Sequence, residues 1–439
     1  MITERQDLME KVTALCKRRG FVYPSSEIYG GLGGLYDYGP YGVALRRNIR
    51  GLWWRHVVDL RDDVVGLEAT IISPSPVWEA SGHTENFTDP LVECRGKCKQ
   101  RFRADHLENT QTCPVCGGPL SEPRRFNMMF KTHVGPVEDT ASVAYLRPET
   151  AQGMFVNFKN VLNSMRVRVP FGIAQQGRSF RNEITHGNFI FRLREFEQME
   201  MEFFVPPGED ERWHAFWIEE RLRWYTDALG IRSERLRLRP HDAEELSHYA
   251  KAATDVEYLF PFGWAELEGI ANRTDFDLRT HQQHSGQDLT YQDPETNERY
   301  LPYVVEPAVG VDRIMITCLL DAYDEEEVKG ETRVVLRLHR DVAPVQVAVT
   351  PLSKKEELIG PARDVQRALQ TVYRVEYDQT GGNIGRRYRR QDEIGTPFCV
   401  TIDFETLEDR AVTIRERDSM AQERVPIAGL LDRLRERFA

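Results

Sequence analysis

RSFRNE at 178–183 and FRLREFEQMEMEFFV at 191–205 are the runs whose reading decides the fold. From Arg166 to Val205 the pattern is strand, polar loop, strand. In the second strand Met199, Met201, Phe203 and Val205 form one apolar face, and Phe196, Gln198, Glu200 and Glu202 form the other. Two carboxylates on one face of an otherwise strong strand ordinarily mark a solvated sheet surface. The alternative is the wall of a pocket. The hairpin also concentrates Arg178, Arg181, Asn182, Glu183, Arg192, Arg194 and Glu195. Planar guanidiniums suit phosphate oxygens, and carboxylates suit an ammonium or a magnesium ion, although charged hairpins are usually solvated.

Working outward, EPAVGVDR at 306–313 lies at a strand-to-helix junction within a unit running from Tyr300 to Tyr323. Gly310 would let a ligand approach the backbone there, and Arg313 would project from the first helical turn. The helix shows Val311, Ile314, Met315, Cys318, Leu319 and Ala322 on one face. No GxxxxGK[ST] run is present, so any nucleotide is held without a P-loop. Upstream, the turn GGLGGLYDYGPYG at 30–42 leads into a helix expected over Val43–Leu60, then a strand-like LEATIIS stopped by Pro74 and Pro76. Residues 210–229 read as a helix whose Trp213, Trp217 and Trp224 make a core stripe. After Arg340, short strands alternate with helices, which indicates a separate α/β domain over 341–439. Its densest basic cluster, RRYRR at 386–390, suits either a nucleic-acid backbone or a solvated helix face.

Four of the seven cysteines fall together as Cys94-x3-Cys98 and Cys113-x2-Cys116. Two short pairs supply four thiolates for a tetrahedral zinc site, closed and therefore structural. The surrounding 91–125 stretch is a polar insertion with neither helical nor strand periodicity. The chain has 439 residues, a length for two or three domains, and its 41% hydrophobic and 29% charged content excludes wholesale disorder. A net charge of −11 argues against general coating of nucleic acid but leaves local basic patches open. No apolar run nears the roughly 20 residues needed to span a bilayer, and the first residues lack a secretory core. A cytoplasmic protein without membrane association is expected.

Together these pieces closely resemble the glycyl-tRNA synthetases of the homodimeric class II kind, from GGLGGLYDYGPYG at 30 to IGRRYRRQDEIGTPF ending at 398. RSFRNE and REFEQMEMEF look like class II motif 2, EPAVGVDR like motif 3, and the Val43–Leu60 helix with its following strand like the dimer-forming motif 1. RPETAQGMF at 147–155 and WAELEGIANRTDFDL at 264–278 are similar to stretches typical of the glycine enzymes. The resemblance implies an α+β fold: a catalytic domain over 1–340 built on an antiparallel sheet flanked by helices, with a zinc-knuckle-like insertion, then an anticodon-binding domain over 341–439. It implies ATP-dependent formation of glycyl-adenylate and transfer of glycine to the 3′ end of its tRNA, in a homodimer using ATP, Mg²⁺ and structural Zn²⁺.

Site residues follow by the same resemblance. Arg181, Arg313 and Glu183 are the catalytic group: Arg181 contacts the α-phosphate, and Arg313 covers the adenine opposite Phe196 and reaches the γ-phosphate. Nucleotide contacts also fall to Asn182, Phe191, Arg192, Leu193, Arg194 and Glu195, to Glu266 and Leu267, and to Gly310, Val311 and Asp312. Around glycine stand one of Arg101 and Arg103, with Arg103 favoured, and Glu149, then Phe196, Glu197, Gln198, Met199 and Glu200, and finally Glu306, Pro307, Ala308, Val309 and Gly310. Glu149, Glu200 and Glu306 would surround the ammonium, which turns the acidic strand face from a solvated surface into a pocket wall. Ala308 departs from the serine frequent in the family, and the first Cys pair is one residue wider than usual. A class II enzyme for threonine, proline or serine disagrees with RPETAQG. A silent RNA-binding relative disagrees with the presence of Arg181, Arg313 and Glu306.

Overall fold

A computed structural model describes residues 2–185 and 187–438, with side chains from Asp7 onward. Met1 and Ala439, the outer ends of the two expected domains, lie outside the described residues. The largest sheet has seven strands, in the order Leu236–Pro240, Ala252–Phe260, Gly263–Thr274, Tyr303–Gly310, Glu195–Val205, Phe171–Phe180, Val64–Gly66. All neighbours pair antiparallel except Val64–Gly66, which runs parallel to Phe171–Phe180. Met199, Met201, Phe203 and Val205 pack with Trp217, Trp224, Ile314 and Leu319 in the main core, so helices Asp210–Asp227 and Val311–Ala322 cover that face. The opposite face is not solvated: Glu200 is 1% exposed and Glu202 0%. Strand alternation alone leaves the solvated reading open. Closure of that face by helices Ala151–Val156 and Phe276–Ser285 overturns it.

Several local expectations shift. The helix expected from Val43 starts at Pro40, whose fixed φ and missing N–H suit a first turn, and it runs to Trp54 before a π-helical turn over Arg55–Asp59. LEATIIS is mostly extended chain without a ladder. Ala69 N donates to the Gln175 side chain and Ala69 O accepts from Arg147 Nη1 at 2.9 Å, so only Ile72–Pro74 pairs as a strand. The insertion expected to lack strands carries a three-stranded sheet of Thr88–Glu93, Arg101–Arg103 and Arg124–Asn127. Strands of three to six residues are too short to print a period in the sequence.

A second core gathers Val349, Leu358, Val365, Val400 and Ile414 on a five-stranded sheet. Its order is Val375–Tyr377, Val347–Pro351, Phe398–Ile402, Ala411–Glu416, Gln422–Pro426, the first three parallel and the rest antiparallel. Helix Ile384–Ile394 in this region packs on the hairpin Tyr323–Val328 and Glu331–Leu336 that leaves the first core.

Candidate active site

A cavity of about 610 Å³ opens on the acidic face of the seven-stranded sheet. Its floor is set by register. Gln175 pairs with Glu200, Glu200 with Ala308, and Ala271 with Glu306, so residues of four strands meet on one side. Between Asn272 and Thr274 the pairing shifts by a residue, and this irregularity turns Arg273 inward, where it is 1% exposed. Arg273 clasps Asp277 with Nε at 2.7 Å and Nη2 at 2.9 Å, and Nη1 donates to Glu306 Oε2. Its guanidinium lies 3.7 Å over the Tyr249 ring.

Each floor carboxylate has its own environment. Glu149 lies with Oε2 3.2 Å from His83 Nε2, and its Oε1 accepts from Gln152 Nε2 at 3.0 Å. Burial opposes its charge, but His83, Arg273 and the Gln152 amide outweigh it and hold Glu149 well below the usual carboxylate range. Glu200 accepts the Thr150 N–H at 3.0 Å and the Thr150 hydroxyl. Burial and the Glu149 charge nevertheless raise its pKa. Glu306 is raised well above its ordinary value by burial, which Arg273 opposes and Glu200 and Glu149 reinforce. Glu202 is raised likewise by burial and Glu306.

The other end of the cavity is cationic and aromatic. Arg181 Nε donates to Pro148 O at 3.0 Å, and its guanidinium stands 5.2 Å from the Phe196 ring and 5.4 Å from Phe87. Arg313 donates Nε to Phe191 O at 3.3 Å and Nη1 to Glu266 O at 3.1 Å, with Glu266 Oε2 at 3.2 Å. The charge of Arg313 lowers the Glu266 pKa, whereas burial raises that of Glu183 against the pull of Arg181. Arg194 donates Nη2 to Glu183 O at 3.0 Å and Nη1 to Gly33 O, tying the Gly-rich turn to the hairpin loop.

Of the residues singled out in the sequence, the cavity wall gathers Arg181, Glu183, Phe191, Arg192, Leu193, Phe196, Gln198, Glu200, Glu149, Glu266, Glu306, Ala308, Val309, Gly310, Asp312 and Arg313. Others lie off it. Met199, Leu267 and Val311 are in the main core, because strand alternation and the helix start send their side chains to the covered face. Glu197 points the same way and meets Arg46 at 2.8 Å and Arg50 at 2.9 Å. Glu195 pairs with Arg178 at the surface, Pro307 is buried beside the wall, and Asn182 is anchored by its N–H to Met128 O at 2.7 Å. Arg103 stands at the insertion's edge with Asp89 at 3.2 Å and Asp105 at 2.6 Å, within electrostatic reach of Glu183 but off the wall. Sequence reasoning missed His83, Gln152, Arg273 and Tyr249. Arg273 and Gln152 sat unread inside the quoted WAELEGIANRTDFDL and RPETAQGMF stretches.

The four cysteines converge, with Cys94 Sγ 3.5 Å from Cys116 Sγ and Cys98 Sγ 3.5 Å from Cys113 Sγ. All four sulfurs lie within 4.8 Å of one another. A tetrahedron with Zn–S bonds of about 2.3 Å has edges of about 3.8 Å, so the donor set fits zinc. Gly96 and Gly118 face each other across it. A Cβ on Gly96 would meet Gly118 Cα at 2.9 Å and Cys116 Sγ at 3.3 Å, so both knuckles require glycine. RRYRR is not a free basic patch: Arg387 is 3% exposed and donates Nη1 to Pro351 O at 2.6 Å. Arg386 remains exposed.

Two family models match the chain, a class II tRNA synthetase core domain (G, H, P, S and T) over residues 130–323 and an anticodon binding domain over 346–437. The chain is 56% identical to the glycine–tRNA ligase of Thermobifida fusca, with 99% of each covered. It is 55% identical to that of Streptomyces coelicolor, with 96% of each covered. The Treponema denticola ligase is 53% identical, over 97% of this chain and 96% of that one. Among solved structures, a prolyl-tRNA synthetase from Cryptosporidium parvum, complexed with L-proline and AMP, superposes with a TM-score of 0.67 at 16% identity. That match covers 97% of this chain and 74% of the other, a likeness of fold.

Proposed function

From the premise that this chain belongs to the glycine–tRNA ligases, a family of class II tRNA synthetases, we propose how its cavity divides the reaction. The enzyme activates glycine with ATP and passes it to tRNA. In the first step the glycine carboxylate attacks the α-phosphorus of ATP, the phosphoanhydride bond breaks, and pyrophosphate leaves. In the second a hydroxyl of the 3′-terminal ribose of tRNA attacks the glycyl carbonyl and AMP leaves.

The observation that carries our reading is the meeting of Glu149, Glu200 and Glu306 beneath a rim of Arg181 and Arg313. The acidic floor takes the glycine ammonium, relieving carboxylates that repel one another when empty. Glu200 pairs with Ala308 on this floor, and glycine, the smallest amino acid, brings the ammonium there with no side chain to place. Arg181, held by Pro148 O against two aromatic rings, faces the charge that develops on the α-phosphate. Phe196 stacks the adenine, and Arg313 covers it and reaches the γ-phosphate. Glu183 and Glu266 would hold Mg²⁺, which class II enzymes use and which neutralises phosphate charge when bound. No nucleophilic side chain is needed, because alignment and electrostatics supply the rate.

We assign residues 1–340 to catalysis and 341–439 to anticodon binding, zinc to the four cysteines, and a cytoplasmic location. No described helix is long and apolar enough to cross a membrane. Dimerisation falls to the region around helix Pro40–Trp54. Trp53 is 1% exposed inside its own core, and the apolar surface offered to a partner is Ile28, Tyr29, Leu32 and Val43, exposed by 88%, 87%, 62% and 44%. ATP–pyrophosphate exchange with a panel of amino acids tests the assignment: glycine stimulates it, and equal stimulation by alanine or serine defeats the pocket.

A further inference from the structure

Glu202 is 0% exposed, and neither of its carboxyl oxygens has a hydrogen-bond partner among the described residues. The register that pairs Glu200 with Ala308 and Phe203 with Val305 sets it abreast of Glu306. One carboxyl oxygen each from Glu200, Glu202 and Glu306 lie within 4.8 Å of one another. We propose that Glu202 lies under the ammonium subsite as an uncharged carboxylic acid that donates its proton to Glu306, a positioning residue that fixes Glu306 and the charge of the floor. This rests on the glycine-pocket reading above.

Every element packed around Glu202 bears on the choice. Its own strand brings Glu200, and strand Tyr303–Gly310 brings Glu306. Strand Gly263–Thr274 brings Arg273, and helix Phe276–Ser285 brings Asp277 and His281. Strand Phe171–Phe180 sets Ile173 opposite Glu202 and neutral Gln175 beside it. Beyond Glu200 lies Glu149, and helix Ala151–Val156 adds only neutral Gln152 to the polar set. Arg273 is the cation that acts on Glu202, and its Nε, Nη1 and Nη2 already donate to Asp277 and Glu306. His281 is turned to Gln152 Oε1, at 2.7 Å.

An ionised Glu202 would therefore stand buried beside two other carboxylates with no donor of its own, an arrangement that proteins relieve by taking up a proton. Burial raises both carboxyls of the pair, so the two share a proton; Glu306 has the Arg273 contact and Glu202 has none, which puts the charge on Glu306 and the proton on Glu202. Glu306 then accepts from both sides, from Arg273 and from Glu202. Its carboxylate is held in place for the ammonium without a further negative charge that would draw Arg273 away. A carboxylic acid kept neutral by an apolar site and used as a hydrogen-bond donor is a known device of enzyme pockets.

The test compares full-length wild type with E202A and E202Q in glycine-dependent ATP–pyrophosphate exchange across pH. E202A is expected to raise KM for glycine about tenfold or more while KM for ATP stays within about twofold, and E202Q, which still donates, recovers most of that loss. The ratio of wild-type to E202Q kcat/KM cancels the titration of glycine itself. It falls on the alkaline side as Glu202 ionises. At neutral pH the infrared difference spectrum, wild type minus E202Q, shows the C=O stretch of a protonated carboxyl. Absence of that band, or an E202Q as impaired as E202A with a pH-independent ratio, overturns the proposal. A wild type without glycine-dependent exchange defeats the pocket reading instead, and the infrared band still reports on Glu202.

Discussion

His83 Nε2 lies 3.2 Å from Glu149 Oε2, joining the helix before the cysteine insertion to the RPET stretch at the cavity floor. His83 is 5% exposed and fixed on its other side by Ser81, whose Oγ is 2.8 Å from Nδ1. The pair keeps Glu149 charged and aimed. Removing either partner leaves a buried polar group unmatched, which costs about 1–3 kcal/mol. H83A is expected to lower kcat/KM for glycine about tenfold and E149Q about tenfold to a hundredfold, with KM for ATP within about twofold. Steady-state exchange kinetics decide this. Unchanged glycine kinetics in both variants would remove the pair from the pocket.

Acid should loosen the floor through His281. Burial holds its pKa down, to about 4 from an ordinary 6.5, and its Nε2 faces Gln152 Oε1 at 2.7 Å. The folded value is the lower one, so between about pH 6.5 and pH 4 the unfolded chain binds a proton that the folded chain refuses. The contribution is whole above that window and is lost as pH falls through it, by at most about 3 kcal/mol. Denaturant melts of wild type and H281N over this range should diverge toward neutral pH and converge toward acid. Parallel pH slopes would show His281 titrating as an ordinary histidine.

How much of this was legible follows from what each feature depends on. The hairpin and its two faces are a period-two pattern, so Glu200 and Glu202 could be put on one side from the sequence. Whether that side was wet depended on helices Ala151–Val156 and Phe276–Ser285, which no local pattern brings to it. Arg273 enters the site through a shift in strand register, and His83 lies 66 residues before Glu149. Neither carries a signature at its own position. The RRYRR run could be read as a helix face, but the burial of Arg387, Gln391 and Asp392 in helix Ile384–Ile394 could not, because its buried positions are filled with Arg, Gln and Asp, a composition without an apolar stripe. Glu197 and Met199 were drawn into the glycine contacts with the whole run around them, although alternation alone sends their side chains to the opposite face.

The cysteine cluster should hold about one zinc per chain. Its sulfurs already approach tetrahedral spacing, and the strands Thr88–Glu93, Arg101–Arg103 and Arg124–Asn127 with the turn Ala104–His106 bury only a few apolar side chains, chiefly Leu91, Val92 and Ala104. Metal ligation would then supply the folding energy of the insertion. Elemental analysis after chelator-free purification should find it, and less than about 0.2 zinc per chain would reject a structural site. C113S with C116S should expose the 91–125 loop to protease while the C-terminal core stays folded. Unchanged cleavage would make the thiols bystanders.

Asp392 is the joint between the two cores. From helix Ile384–Ile394 it accepts Arg333 Nε at 2.9 Å and Arg415 Nη1 at 2.9 Å, with Arg415 Nη2 at 3.1 Å. Arg333 and Asp392 are 0% exposed and Arg415 is 4% exposed, and Arg333 comes from the Glu331–Leu336 strand of the hairpin that leaves the first core. D392A would leave two buried guanidiniums without their shared carboxylate, a loss of about 3–5 kcal/mol. It would act at the joint, since the cavity lies elsewhere in the fold. Calorimetry should then separate the unfolding of the C-terminal core from the rest. Glycine-dependent exchange should persist while transfer to tRNA falls, because the two parts no longer hold one tRNA together. Buried ion groups are often replaceable by apolar side chains of like volume, so R333M, D392L and R415M combined should recover much of the stability that D392A loses. A single transition within about 1 kcal/mol of wild type for D392A would show that the carboxylate does not hold the two parts together.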